Sequence, residues 1–122
     1  GIILEGTICA DMPEIKDYNK ITSIGKGAAL SLMDGSTVYD IDVVRSVAKI
    51  ADNNNIMYQF RSSSSGGNDA GVIHKTKKGA KVVAISVPCR YIHSSVNVAS
   101  KRDLESVSEL AKKVILENQK GE

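Results

Sequence analysis

Apolar and polar positions follow two different rhythms along this chain. Ile2 to Cys9 carries apolar and β-branched residues without helical spacing and stops at the turn signal Asp11-Met12-Pro13, a pattern that predicts a buried strand. Glu14 to Lys26 then mixes charge, Asn and Gly as a loop should, and a second apolar run, Ala28 to Met33, closes at Asp34-Gly35 as a second strand. From Asp40 the rhythm changes. Val43, Val44, Val47, Ala48 and Ala51 fall on one helical face, Asp40 stands where an N-cap belongs, and Asn53-Asn54-Asn55 ends the helix.

The same alternation continues to the carboxyl end. Ile56 to Phe60 predicts a short strand, and the polar run from Ser62 to Gly67 a flexible connection. Asn68 as cap, Lys75, Lys77 and Lys78 as late cations and Gly79 past the end predict a short helix. Lys81 to Val87 has the unbroken Val and Ile content of a strand covered on both faces, with Pro88 to Asn97 as the loop at its carboxyl end. Ser100 with Asp103 resembles a capping box. It opens a helix whose apolar face is Leu104, Val107, Leu110, Ala111, Val114 and Ile115, with a frayed tail from Asn118 to Glu122. No repeat and no shift of composition interrupts the series, so residues 1–122 are expected to form one α/β layered unit without an internal boundary.

Composition narrows the classes further. The 122 residues are 42% apolar and 25% charged, the balance of a globular domain. The longest apolar stretch, Val82 to Val87, is far short of the roughly 20 residues that span a bilayer, so no membrane partner is expected. A net charge of +2 with four Tyr, one Phe and no Trp offers neither the basic field nor the stacking surface of a nucleic-acid binder. Cys9 and Cys89 sit in strand-like surroundings rather than in a spaced framework, which predicts buried thiols in a reducing, cytoplasmic protein. Gly1-Ile2-Ile3-Leu4 has neither a Met nor a basic leader and reads as a chain cut inside a fold rather than a signal peptide.

Candidate chemistry gathers at predicted strand ends, where open α/β sheets place their ligands: Asp11, Asn68 with Asp69, and Arg90 with His93. Each has a plain alternative. A carboxylate before Met12-Pro13 also serves as a turn residue, and an imidazole after Tyr91-Ile92 is either a satisfied loop histidine or a metal ligand. His74, beside Lys75 in a predicted helix, reads as a surface or packing residue, and Lys75 to Lys81 as a solvated helix end. There is no phosphate-binding glycine fingerprint, no Cys-x-x-Cys pair, no His-Glu-x-x-His and no nucleophile elbow, so no catalytic residue is assigned within this chain.

Several strings acquire meaning together: Glu5-Gly6-Thr7 leading to Ala10-Asp11-Met12-Pro13, Gly25-Lys26-Gly27, Met33-Asp34-Gly35, Gly67-Asn68-Asp69-Ala70-Gly71, and Ser86-Val87-Pro88-Cys89-Arg90-Tyr91-Ile92-His93-Ser94. They resemble the dinuclear-metal aminopeptidases that include glutamyl and deblocking aminopeptidases, the tetrahedral TET particles, and proteins labelled FrvX or cellulase M. The resemblance covers nearly the whole chain, is most specific from Gly66 to Ser94, and departs at Ser95, where a Pro is frequent.

By that resemblance the chain is the carboxyl-terminal part of a catalytic domain with a mixed central sheet flanked by helices, a zinc-exopeptidase (phosphorylase/hydrolase-like) fold. Asp11 then matches the carboxylate on one metal ion and His93 the imidazole on the other, the two ions being zinc or cobalt. Asn68, Asp69, Arg90 and Ile92 match loops at the substrate end of the site. The remaining ligands and the general-base Glu belong upstream of Gly1, so the isolated chain is expected to be inactive. In the intact parent the implied reaction is metal-assisted hydrolysis of an N-terminal peptide bond. The implied partners are a peptide substrate, the missing amino-terminal part and further copies in a homo-oligomer. Two rival readings stand beside it: a non-catalytic folding or assembly module, and a glycosidase, which needs two carboxylates roughly 5 to 9.5 Å apart.

Overall fold

The computed structural model describes residues 1–61 and 63–119. Strand β1 (Ile2–Ile8) is followed by a single 3-10 turn at Asp17–Asn19, strand β2 (Ala28–Ser31), helix α1 (Ile41–Asn53) and strand β3 (Tyr58–Arg61). Helix α2 (Ala70–Ile73), strand β4 (Val83–Arg90), strand β5 (Val98–Ala99) and helix α3 (Lys101–Gln119) complete the order. The strands form one mixed sheet in the order β1-β4-β2-β3, β1 parallel to β4, β2 antiparallel to β4 and parallel to β3, while β5 pairs with the last two residues of β4. This is the mixed sheet flanked by helices that the sequence strings imply.

Register sorts the strand residues into two faces. Pairing of Glu5 with Ser86 and of Ala29 with Ser86 puts Ile3, Glu5, Thr7, Ala84, Ser86, Ala29 and Ser31 on one face. Leu30 and Ile85, also cross-strand partners and both fully buried, lie on the other. There they join Val44, Val47 and Ala51 of α1 and Val107, Leu110 and Val114 of α3 in one core. Each fully buried Leu or Ile of that core contributes about 1.5–3 kcal/mol. The predicted α1 is present with its cap: Asp40 Oδ1 accepts from the amides of Asp42 and Val43 at 2.9 and 3.4 Å.

Five local expectations need correction. The helix after Asn68 is a single turn, Ala70–Ile73, although Gly79 does adopt the left-handed φ of +93° expected beyond it. Pro88 lies inside β4 rather than in a loop. β2 pairs no further than Ser86, so the proline falls where β4 has no β2 residue beside it. Asp103 does not complete a capping box: its buried carboxylate accepts from Gly25 N at 2.7 Å and Gly27 N at 2.8 Å. Leu104 and Ile115 are exposed, while the other four predicted face residues of α3 are buried. The predicted fray at Asn118 is helix through Gln119, and residues 120–122 and Ser62 lie outside the described residues.

Gly27 shows why the loop before β2 needs its glycine. Its φ is +85°, and a Cβ there would overlap the backbone carbonyl of Met57. Among the described residues no helix is long and apolar enough to cross a membrane.

Candidate active site

A polar cleft of about 230 Å³ opens on the sheet face that carries Glu5 and Thr7. Glu5, Gly6, Thr7 and Ile8 of β1, Ser31 and Asp34 at the end of β2, Arg61 of β3, the loop residues Ser65 to Asn68, and Ile92 and His93 line it. A carboxylate in the middle of an otherwise apolar strand is costly unless something holds it. Glu5 Oε1 accepts from Asn68 Nδ2 at 2.9 Å, and among the described residues Glu5 is in no ion pair. Burial raises its pKa above the ordinary carboxylate value and the charge of Asp34 adds to this, while the Asn68 bond and Arg61 pull the other way.

Asn68 is itself fixed. Its Oδ1 accepts from Ala70 N at 2.8 Å, which leaves Nδ2 to face Glu5 and the Tyr39 hydroxyl, 3.0 Å away. Tyr39 donates to Asp34 Oδ2 at 2.8 Å, and Asp34 Oδ1 accepts from Ser36 N, Ser36 Oγ and Thr37 N. Burial opposes ionisation of Asp34, yet those donors outweigh it and hold its pKa below the usual range. A chain Asp34–Tyr39–Asn68–Glu5 thus runs beneath the cleft. Arg61 closes the opposite wall. It donates to Thr7 Oγ1 at 3.0 Å and to the carbonyls of Ser63 and Ser65 at 2.5 and 2.6 Å, fastening the serine loop to β1.

The predicted site residues separate into two groups. His93 and Ile92 line the cleft, and Asn68 does so by holding Glu5 rather than by facing solvent. Asp69 is exposed at the start of α2, and its carbonyl takes the amides of Val72 and Ile73. Asp11, expected at a metal ion, and Arg90, expected at substrate, pair with each other. Arg90 Nε donates to Asp11 Oδ1 at 2.7 Å and Nη2 to Oδ2 at 3.0 Å, and Ile24 N donates to Oδ2 at 3.0 Å. Asp11 is not among the residues that line the cleft with His93. Glu5 takes that place, and the signal that could have found it is the lone charge inside Ile2 to Ile8. His74 points its Nδ1 at the Ala70 carbonyl, 2.6 Å away, outside the cleft.

Gly6 packs closely against the neighbouring strand β4. A Cβ there would stand 3.3 Å from Cys89 Sγ, tighter than ordinary contact, and at an ordinary 3.6 Å from Ile92 Cδ1. As a metal centre the cleft is incomplete. Among the described residues no group of three or more His, Cys, Asp or Glu side chains could hold an ion, whereas a zinc site takes at least three protein ligands. Glu5 and His93 supply one oxygen and one nitrogen donor of the right chemistry.

A mixed sheet flanked by helices, with a polar cleft on one face, is an architecture shared with solved aminopeptidases. The chain superposes on an aminopeptidase from the archaeon Desulfurococcus kamchatkensis with a TM-score of 0.90 at 35% identity, covering 93% of this chain and 33% of that one. On the TET1 peptidase of Pyrococcus horikoshii, which can assemble into a tetrahedron or a large octahedral shell, the TM-score is 0.73 at 29% identity, covering 93% and 32%. A curated relative from Acetivibrio thermocellus is 34% identical over 110 residues, 90% of this chain and 33% of the relative. The chain belongs to the M42 glutamyl aminopeptidase family, whose model matches residues 1–110. It spans about a third of the length of these relatives.

Proposed function

We propose that this chain is the carboxyl-terminal part of the catalytic domain of a metal-dependent aminopeptidase that removes N-terminal residues from peptides. The observation that carries the reading is the meeting of Glu5 and His93 on one cleft, with Glu5 held by Asn68 and, among the described residues, in no ion pair. From this chain, Glu5 and His93 would hold the metal, with zinc or cobalt suited to such oxygen and nitrogen donors. Glu5 replaces Asp11 in that role because both Asp11 oxygens are engaged by Arg90 and Ile24. The chemistry a divalent ion supplies when bound is polarisation of a carbonyl and acidification of water.

The chain's own residues prepare that chemistry. Asn68 occupies one oxygen of Glu5 and leaves the other for the cleft, Ile92 provides an apolar wall, and Arg61 fixes the serine loop that borders the substrate space. The remaining ligands and the general base belong to the rest of the longer protein, so the 122 residues alone are inactive. Two features support a missing partner segment. β1 is an edge strand, and beside it Leu4, Val87, Leu104 and Val107 line an apolar trough of about 680 Å³. Assembly into a homo-oligomer, and a cytoplasmic location, are part of the same proposal.

A glycosidase needs a free pair of carboxylates. The carboxylate next to Glu5 in this cleft is Asp34, whose two oxygens are taken by Ser36, Thr37, Tyr39 and Asn68, which leaves it unfit as an acid or base. The test is hydrolysis of a peptide anilide and of a cellulosic substrate by the full-length protein, with and without chelator. Chelator-sensitive anilide hydrolysis is expected. Cellulose cleavage alone, or neither activity, would refute the proposal in favour of a glycosidase or a non-catalytic module.

A further inference from the structure

His93 is exposed, and among the described residues its backbone makes no hydrogen bond to the sheet. It sits in loop 91–97, which leaves β4 after Arg90 and returns at Val98, the residue paired with Arg90 across the antiparallel β4–β5 ladder. Arg90 is therefore the base of the loop. Within it Tyr91 and His93 both adopt left-handed φ, +58° and +66°, and Ser94 Oγ donates to the carbonyls of Tyr91 and Val96 at 2.6 and 2.7 Å. A loop tied in this way moves as a unit, so the orientation of its base sets the position of His93.

One contact fixes that base from outside the hairpin. The forked guanidinium of Arg90 meets both oxygens of Asp11, whose side chain is 7% exposed, and Asp11 Oδ2 also takes Ile24 N. A bidentate pair constrains direction as well as distance. Cys9 N donates to Cys89 O at 2.8 Å, so the ladder between the two strands runs on to the residues just before this pair. Asp11 thus ties the loop before β2 to the base of the His93 hairpin.

We propose that Asp11 is a positioning residue that acts through Arg90 to hold His93 at the cleft, and that it contacts neither metal nor substrate. The proposal rests on the assignment of His93 as a metal-holding residue made above. It distinguishes itself from a ligand role because a ligand acts without Arg90, whereas a positioning pair acts as one element.

The test measures Co²⁺ binding to the full-length protein by equilibrium dialysis and by the visible absorption of the bound ion, which reports its ligand geometry. Asp11→Ala and Arg90→Ala should each bind as many ions as the unsubstituted protein, with affinity about tenfold weaker and the same change in the absorption bands. The double variant should be no weaker than either single one. Asp11→Asn, which keeps an oxygen for Arg90 or Ile24, should recover most of the affinity, and if the alanine variants do not fold, Asp11→Asn and Arg90→Lys carry the comparison. Loss of one ion in Asp11→Ala with a full count in Arg90→Ala would make Asp11 a ligand and overturn the proposal, as would unchanged affinity in both. A full ion count and unaltered spectrum in His93→Ala would instead remove the assignment on which the proposal rests.

Discussion

Replacing Asp103 by Asn exchanges one carboxylate oxygen for an amide nitrogen at a fully buried position that accepts two backbone N–H groups. The new side chain has one acceptor for two donors. Gly27 N lies in the deeper, buried contact and Gly25 N in a partly buried one, so the remaining oxygen turns to Gly27 and its NH₂ group confronts Gly25. A charge-assisted bond is lost and a donor is stranded where water reaches it only in part, a loss of about 2 kcal/mol. With a urea dependence of about 1–3 kcal/mol per molar, the unfolding midpoint should fall by about 1 M. Circular dichroism against urea measures the midpoint, and amide exchange at Gly25 should quicken more than at Gly27. A midpoint within roughly 0.2 M of the unsubstituted protein, with unchanged exchange at both glycines, would refute the view that Asp103 secures the loop before β2.

Three further outcomes follow from contacts described above. Arg90 holds the Asp11 pKa below its ordinary 3.8, so the pair stabilises the fold above that value and its contribution fades as pH falls through the lower folded pKa. The stability gap between the protein and Asp11→Asn should be constant from about pH 8 to 5 and narrow below about pH 4, and a gap unchanged at pH 2.5 would contradict this. Burial pushes the Cys9 thiol up to about 11, so at pH 8 iodoacetamide should label it in urea but not in the native protein; rapid native labelling followed by mass spectrometry would show an open site. His74→Ala, outside the cleft, should keep peptide-anilide hydrolysis and metal content, and loss of either would reassign it.

What could be read from sequence was local. Asp40 and the apolar positions of α1 were legible because a cap and a helical face are settled within a few residues. The same holds for the run from Val83 to Val87, whose content alone announces a covered strand. The carboxylates were not legible, because their partners are remote: Asp11 meets Arg90 across a separation of 79 residues, Glu5 meets Asn68 across 63, and Asp103 meets Gly25 across 78. Nothing within the string Ala10-Asp11-Met12-Pro13 distinguishes a carboxylate aimed at an arginine from one aimed at a metal ion. Asn68 illustrates the intermediate case. Its contact with Ala70 N, two residues on, is local, whereas its second task, holding Glu5, depends on which strand lies beneath it.

The central claim is that Glu5 and His93 of this chain face one metal site. Metal content per chain after dialysis of the full-length protein tests it directly, in Glu5→Ala and His93→Ala beside the unsubstituted protein. Each variant should hold fewer ions than the unsubstituted protein and lose peptide-anilide hydrolysis by orders of magnitude. A Glu5→Ala protein that keeps its full complement of ions and its activity would contradict the claim.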